Sequence, residues 1–461
     1  MKKTIINTVD PYTNTVLQSY QHLNSDEIES QVNSAFKAYH DNKSKSVATK
    51  ALQLQKIATA FRSHAAALAK IITHETGKAL KSSFDEIEKS AKAYDYFSEN
   101  LESLLAAEII VSNYSKSMVV KDSIGPILAI MPWNFPLWQL TRFAAPAVGI
   151  GNPILLKHAE ITAGTAELIT TIFDEIQPGL ILTLRIGHDQ ANNLIADSRV
   201  RGLTLTGSTT AGRAVAETAG KYLKKSVLEL GGSDAYVVFK DADIKKAASL
   251  CAEARMVNNG QSCIAGKRFL IEKMVFAEFC DQFKFELKKY SFDDPKKLET
   301  QIGTLASKKF QQQLLQQCQS LENTGSVTKI FDLADEVNYD FSTPDAFFPA
   351  RAYHVKKTEL KFFNEEFFGP VALLTTFDTE SEALSLANQS VFGLGGAVFS
   401  SDMQRAENFA RKMESGFIAI NDFVKSAPNL PFGGVKDSGF GRELGSYGFN
   451  EFCNIKTLGF R

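Results

Sequence analysis

Apolar positions recur at three- and four-residue spacing through "SDEIESQVNSAFKAYHDN", "ATKALQLQKIATAFRSHAAALAKIITHETGKAL" and "SFDEIEKSAKAYDYFSENLESLLAA". That period predicts helices over residues 25–106, with Ser25 and Ser83 as N-caps. "KSMVVKDSIGPILAIMPW" then changes to a strand-like pattern. From there short apolar runs ("GPILAIM", "PILLK", "ILTLRI", "GLTLTG", "SVLEL", "AYVVF") alternate with helical patterns such as "ITAGTAELITTIFDEI" and "TAGRAVAETAGKYLKK". Strand–helix alternation predicts a parallel, doubly wound sheet. A second alternating series runs from "KRFLIEK" to "GFIAIN" and predicts a second α/β domain. The tail "GFNEFCNIKTLGF" reads as an edge strand that packs elsewhere.

A chain of 461 residues exceeds one compact core, so two or three domains are expected. A hydrophobic share of 44% and a charged share of 22% are ordinary for a globular protein. The net charge of -1 gives no footprint for nucleic acid or an anionic membrane. Five cysteines, an odd number without a C-x-x-C pair, argue against a disulfide framework and a zinc knuckle, and no metal is expected. A reducing cytoplasm is the simplest setting. The N-terminal "MKKTIINTVDPYTNT" lacks the apolar region of a secretory signal. The longest apolar stretch, "FAAPAVGIGNPILL", is too short and too interrupted to span a bilayer.

Two stretches carry candidate chemistry. "LTLTGSTTAGRAVAETAG" places small residues between a strand and a helix, where backbone N–H groups can hold a diphosphate. Arg213 and Ala214 follow Gly212, so the Lys-Ser/Thr of a P-loop is missing and a kinase or ATPase is disfavoured. In "NNGQSC", Cys263 follows polar, turn-forming residues rather than the apolar neighbours of a core cysteine. At the end of the run "LLKHAE", Lys157 and Glu160 stand at the edge where such sheets bind ligands.

Six motifs stand in order: "PWNFP" (132–136), "GSTTAG" (207–212), "LELGG" (228–232), "GQSC" (260–263), "EEFFGPV" (365–371) and "PFGGVKDSGFGRELG" (431–445). Together they resemble the NAD(P)-dependent aldehyde dehydrogenase superfamily over essentially the whole chain. The segments "NFPLWQLTR", "MVNNGQSCIAGKRF" and "FGRELGSYGFNEFCNIKT" look most like its short bacterial succinate-semialdehyde dehydrogenases. The resemblance implies Cys263 as nucleophile, Glu229 as general base and Asn134 as oxyanion donor. It places Trp133, Lys157, Glu160, Gly207, Ser208, Gly212, Leu230, Glu366 and Phe368 around the cofactor. NAD is expected, with NADP possible, because the charge of Glu160 opposes a 2′-phosphate.

Arg142 lies two helical turns beyond Asn134, close enough for its guanidinium to meet a carboxylate on the substrate. Ser426 is a second candidate for that carboxylate. Relatives with this activity often carry an arginine six residues before the nucleophile, where this chain has Val257, and some carry a second cysteine where it has Ala265. A second arginine clamp and a redox switch are therefore not expected. The implied fold is two doubly wound α/β domains plus a small bridging sheet: 1–109 and 124–230 for the cofactor, 231–428 for catalysis, and 110–123 with 446–461 for bridging and homodimer or homotetramer formation. Three rivals stay open: a dehydrogenase for a different aldehyde, a non-catalytic binding protein on the same fold, and a cysteine hydrolase needing a histidine partner. A CoA-acylating enzyme is disfavoured, since such relatives lack the Glu229 equivalent.

Overall fold

The computed structural model describes residues 5–337, 340, 343 and 345–461. Central strands such as Gly202–Thr206 and Ala235–Val238 are buried along their whole length. Parallel strands covered on both faces read as continuous apolar runs, which is why they stand out in the sequence. They fall into two large sheets. The first has six strands, in the order Gly439–Phe440, Lys225–Glu229, Gly202–Thr206, Ile127–Met131, Ile154–His158 and Ile181–Thr183. All its pairings are parallel except that of the short Gly439–Phe440 strand. The chain moves outward from Ile127–Met131 to Ile181–Thr183, then returns to place Gly202–Thr206 on the other side of Ile127–Met131. A crevice opens at the carboxyl ends of strands where the order reverses in this way. Asn134 follows one of these two strands and Gly207 follows the other.

The second sheet has seven strands, from Val327–Asp332 at one edge to Phe417–Ile420 at the other, with Arg268–Glu272 and Ala235–Val238 inside. Only the Val327–Asp332 edge runs antiparallel. A three-stranded sheet joins Cys453–Phe460, Lys116–Ser123 and Glu108–Ile109. The tail is thus a strand paired far from its sequence neighbours, as its pattern predicts. Residues 446–451 do not join it: they belong to the helix Gly445–Glu451, which sends Phe449 into the core of the first sheet.

Three local expectations change. Asn24, not Ser25, caps the first helix, through a reciprocal pair with Glu27 that satisfies two free backbone N–H groups. Ser83 lies inside the helix Leu80–Leu105, buried against Thr73 at 2.9 Å. An N-terminal hairpin, Ile5–Asp10 with Thr15–Gln21, precedes the helices, and the periodicity did not announce it.

The helix Pro136–Ile150 is buried along all its residues. A helix buried on every side needs its polar N-terminus satisfied from inside the protein. Glu86 does this, accepting from the N–H groups of Leu137 and Trp138 at 2.9 and 3.0 Å. Its other oxygen pairs with the buried Lys78, whose ammonium lies 4.0 Å from the centre of the Phe135 ring. Removing one partner of such a pair strands a buried charge, at a cost of about 3–5 kcal/mol. Glu86→Ala is therefore expected to lose that much stability in urea unfolding, whereas a loss below about 1 kcal/mol would show that the pair does not anchor this helix.

Candidate active site

The helix Ile244–Met256 stops before a turn with left-handed backbone at Asn258 (φ 51°), Asn259 (φ 55°) and Gly260 (φ 72°). Asparagine and glycine tolerate this conformation best. Each asparagine also locks the turn: Asn258 Nδ2 donates to the Asn134 carbonyl at 2.8 Å, and Asn259 Nδ2 to the Thr304 carbonyl at 2.8 Å. The Gln261 side chain accepts from the Ala306 N–H at 3.0 Å, and buried Arg255 donates to the Gly260 carbonyl at 2.6 Å. A Cβ at Gly260 would lie 2.3 Å from the carbonyl carbon of Gly369. The glycines of "GQSC" and "EEFFGP" therefore meet backbone to backbone.

This turn holds Cys263, half-buried, between two cavities. Among the described residues, only Cys263 and Gln139 line both. One cavity, of about 640 Å³, is lined by Trp133, Asn134, Gly207, Ser208, Leu230, Glu366 and Phe368 among others. Most of the residues expected around a cofactor are thus brought together. Trp133 stacks on Phe310 (4.9 Å, 24°) and meets Phe368 edge-on (5.8 Å, 88°). Phe310 and its neighbours Gln313 and Gln317 come from the helix Lys308–Glu322, which carries no motif and was missed in the sequence.

Three expected cofactor residues lie outside this lining. Lys157 and Glu160 follow one another at the end of the Ile154–His158 strand. Burial lowers the pKa of Lys157, and Glu160 is largely exposed, with His22 at 3.8 Å. Gly212 faces Leu230, whose Cδ2 would stand 2.5 Å from a Cβ there, so its observed role is close packing of helix on strand. Ser208 caps the helix Thr209–Lys221 by accepting from the Ala211 N–H at 3.2 Å. Gly207 and the N-cap Ser208 line the cavity, so the start of that helix borders it, an arrangement suited to a diphosphate. At Gly231 a Cβ would press within 2.8 Å of Glu366 Oε2, so the wall needs bare backbone there. Glycine backbone, aromatic rings, a helix N-terminus and a carboxylate together fit a nicotinamide dinucleotide.

Asn134 Nδ2 donates to the Gln261 carbonyl at 2.9 Å, which fixes the amide and leaves its second hydrogen without an acceptor among the described residues. The Cys263 N–H has no acceptor among the described residues. Burial pushes the Cys263 thiol up to about 12; Arg142 and Lys267 oppose this, while Glu366 and Glu229 add to it. Buried Lys267 donates to the Ser262 and Cys263 carbonyls at 2.9 and 2.6 Å and lies 3.4 Å from Glu366. It is a second residue that sequence reasoning missed.

Glu229 is buried with neither oxygen hydrogen-bonded, and it lines neither cavity in this conformation. Burial, reinforced by the nearby Glu443, raises its pKa well above the ordinary carboxylate range. Arg142 has a partner that the sequence did not show. Its Nε pairs with Glu443 at 2.8 Å, its guanidinium lies 4.5 Å from the centre of the Phe432 ring, and it also donates to Gln139. It lines the other cavity, but as a cation already matched by a buried carboxylate. Two carboxylates share this one arginine, and Glu229 is the less well matched.

That other cavity, of about 420 Å³, runs from Cys263 past Phe135, Trp138 and Arg142 to Ser426 and Lys89. Ser426 is thus in the expected place. Lys89, on the helix Leu80–Leu105, was not anticipated. Among the described residues no group of three or more metal-ligating side chains forms, and no helix is long and apolar enough to cross a membrane.

The family model for the aldehyde dehydrogenase family matches residues 1–458. A probable succinate-semialdehyde dehydrogenase [NADP(+)] from Synechocystis is 36% identical over 98% of this chain and 99% of its own length. A succinate semialdehyde dehydrogenase [NAD(P)+] from Escherichia coli is 36% identical, covering 98% and 97%. The crystal structure of succinic semialdehyde dehydrogenase from Streptococcus pyogenes with NADP+ superimposes with a TM-score of 0.94 at 32% identity, covering 98% of this chain and 99% of that one. Match length, identity and shared architecture agree: the chain belongs to the aldehyde dehydrogenase family.

Proposed function

We propose that this protein oxidises succinic semialdehyde to succinate with NAD or NADP, using Cys263 as its nucleophile. The observation that carries the reading is one thiol, Cys263, shared by two cavities, one suited to a dinucleotide and one lined by Lys89, Arg142 and Ser426 among others. The Cys263 thiolate adds to the aldehyde carbon, forming the S–C bond of a thiohemiacetal. Asn134 Nδ2 and the Cys263 N–H hold the resulting oxyanion; one such donor contributes about 2.7–4 kcal/mol in comparable sites. A nicotinamide dinucleotide held along Trp133, Gly207, Ser208, Glu366 and Phe368 would supply the hydride acceptor that lets the oxyanion collapse to a thioester on Cys263. Glu229 then takes a proton from the water that hydrolyses this thioester, after its side chain rotates out of the pocket it shares with Glu443. Leaving that pocket removes the burial and the Glu443 repulsion that raise its pKa, so the carboxyl can release its own proton and act as the base.

Glu160 near the adenosine ribose favours NAD, and the adjacent Lys157 leaves NADP admissible. The same reading assigns residues 1–109 and 124–230 to the cofactor domain and 231–428 to the catalytic domain. It assigns the three-stranded sheet to a homodimer or homotetramer interface, and the protein to the cytoplasm.

NADH formation by the purified protein tests the substrate class. Succinic semialdehyde is expected to exceed butanal by at least about tenfold in kcat/KM, with Cys263→Ala inactive. Equal rates would keep the reaction and remove the substrate assignment.

The thiol gives a separate prediction for the protein without cofactor. A pKa near 12 leaves little thiolate at neutral pH, and the reactive form increases as pH rises. Alkylation of Cys263 by iodoacetamide should therefore accelerate about tenfold per pH unit from 7 to 9. A plateau below pH 8 would mean that the free protein already activates its thiol.

A further inference from the structure

We infer that Lys89, together with Ser426, is the clamp for the substrate carboxylate; this rests on the semialdehyde reading above. Lys89 reaches the cavity from the middle of the helix Leu80–Leu105, and its ammonium is mostly buried. It lies 4.3 Å from the centre of the Trp138 ring and donates to Ser426 Oγ at 3.1 Å. Trp138 Nε1 donates to the same oxygen, also at 3.1 Å. Two donors thus converge on one hydroxyl, which turns its own hydrogen away from both. Among the described residues that hydrogen has no acceptor, and Lys89 has no carboxylate within ion-pair distance. A buried cation beside a donor with no acceptor is the complement of an anion.

The other charged groups of this cavity, apart from exposed Glu253, are already matched. Glu86 is held by Lys78 and the helix N-terminus, Arg142 by Glu443, Asp85 by Lys81 and Lys425 by Asp422. Glu253 is exposed on the lining. Lys89 is therefore the buried cation that lacks its anion, and a short aldehyde bound at Cys263 with a carboxylate at its far end supplies one. Burial and the neighbouring Arg142 bring its pKa down to about 8, so a bound carboxylate also restores the charged form.

The test compares succinic semialdehyde with butanal in wild type, Lys89→Met, Lys89→Arg and Ser426→Ala, and measures succinate as an inhibitor of butanal oxidation. Lys89→Met is expected to lower the semialdehyde-to-butanal ratio of kcat/KM about 10- to 100-fold, mainly through KM, and to weaken succinate inhibition similarly. Lys89→Arg should keep most of the ratio, and it should hold above pH 8, where the wild-type ratio falls. Because the readout is a ratio, partial misfolding scales both substrates and cancels. An unchanged ratio and unchanged succinate inhibition in Lys89→Met would overturn the clamp. A wild-type enzyme without a preference would overturn the semialdehyde reading itself, and the two failures are distinct.

Discussion

One side chain must face two ligands at once, and the turn from Asn258 to Cys263 satisfies that constraint. The thiol can serve both cavities only if the backbone passes between them without drifting. Left-handed residues make the turn tight enough, and asparagine amides, Arg255 and Lys267 fasten it to the surrounding chain. The bonds reach residues from "PWNFP", from the loop near Thr304 and from the second sheet's own strand ends. The site is thus assembled from both large sheets, and neither sheet could form it alone.

Charge placement explains what the two cavities do differently. On the cofactor side, negative charge comes from Glu366 and positive potential from a helix N-terminus, an arrangement that meets a ribose and a diphosphate. On the substrate side, Lys78 and Arg142 are each held by a buried carboxylate, and Lys89 is not. Glu229 stands behind this wall, where desolvation and Glu443 raise its pKa. Burial therefore disfavours the charged forms of both base and nucleophile before ligands arrive.

The sequence made legible whatever is local or motif-like. Continuous apolar runs marked the parallel strands, and the six ordered motifs marked the turn, the glycine wall and the candidate oxyanion donor. It did not reveal groups whose role comes only from tertiary neighbours. Lys89 sits in "DEIEKSAK", which reads as a solvated helix face until Trp138 and Ser426 close over it. Phe310 and Gln313 lie in a glutamine-rich helix with no signature. Arg142 was visible as a cation in reach of the substrate, but its partner Glu443 is distant in sequence, so the buried ion pair was not. Ser83 misled because a serine before an apolar run resembles a cap even when it is an interior residue.

The account's central claim is that Cys263 carries the acyl group between oxidation and hydrolysis. The most direct measurement is intact-protein and peptide mass spectrometry of Glu229→Gln after mixing with NAD and succinic semialdehyde. The account predicts a burst of NADH and a succinyl group retained on the peptide containing Cys263, because oxidation proceeds while hydrolysis stalls. An unmodified Cys263 with undiminished turnover, or an adduct on a different residue, would contradict it.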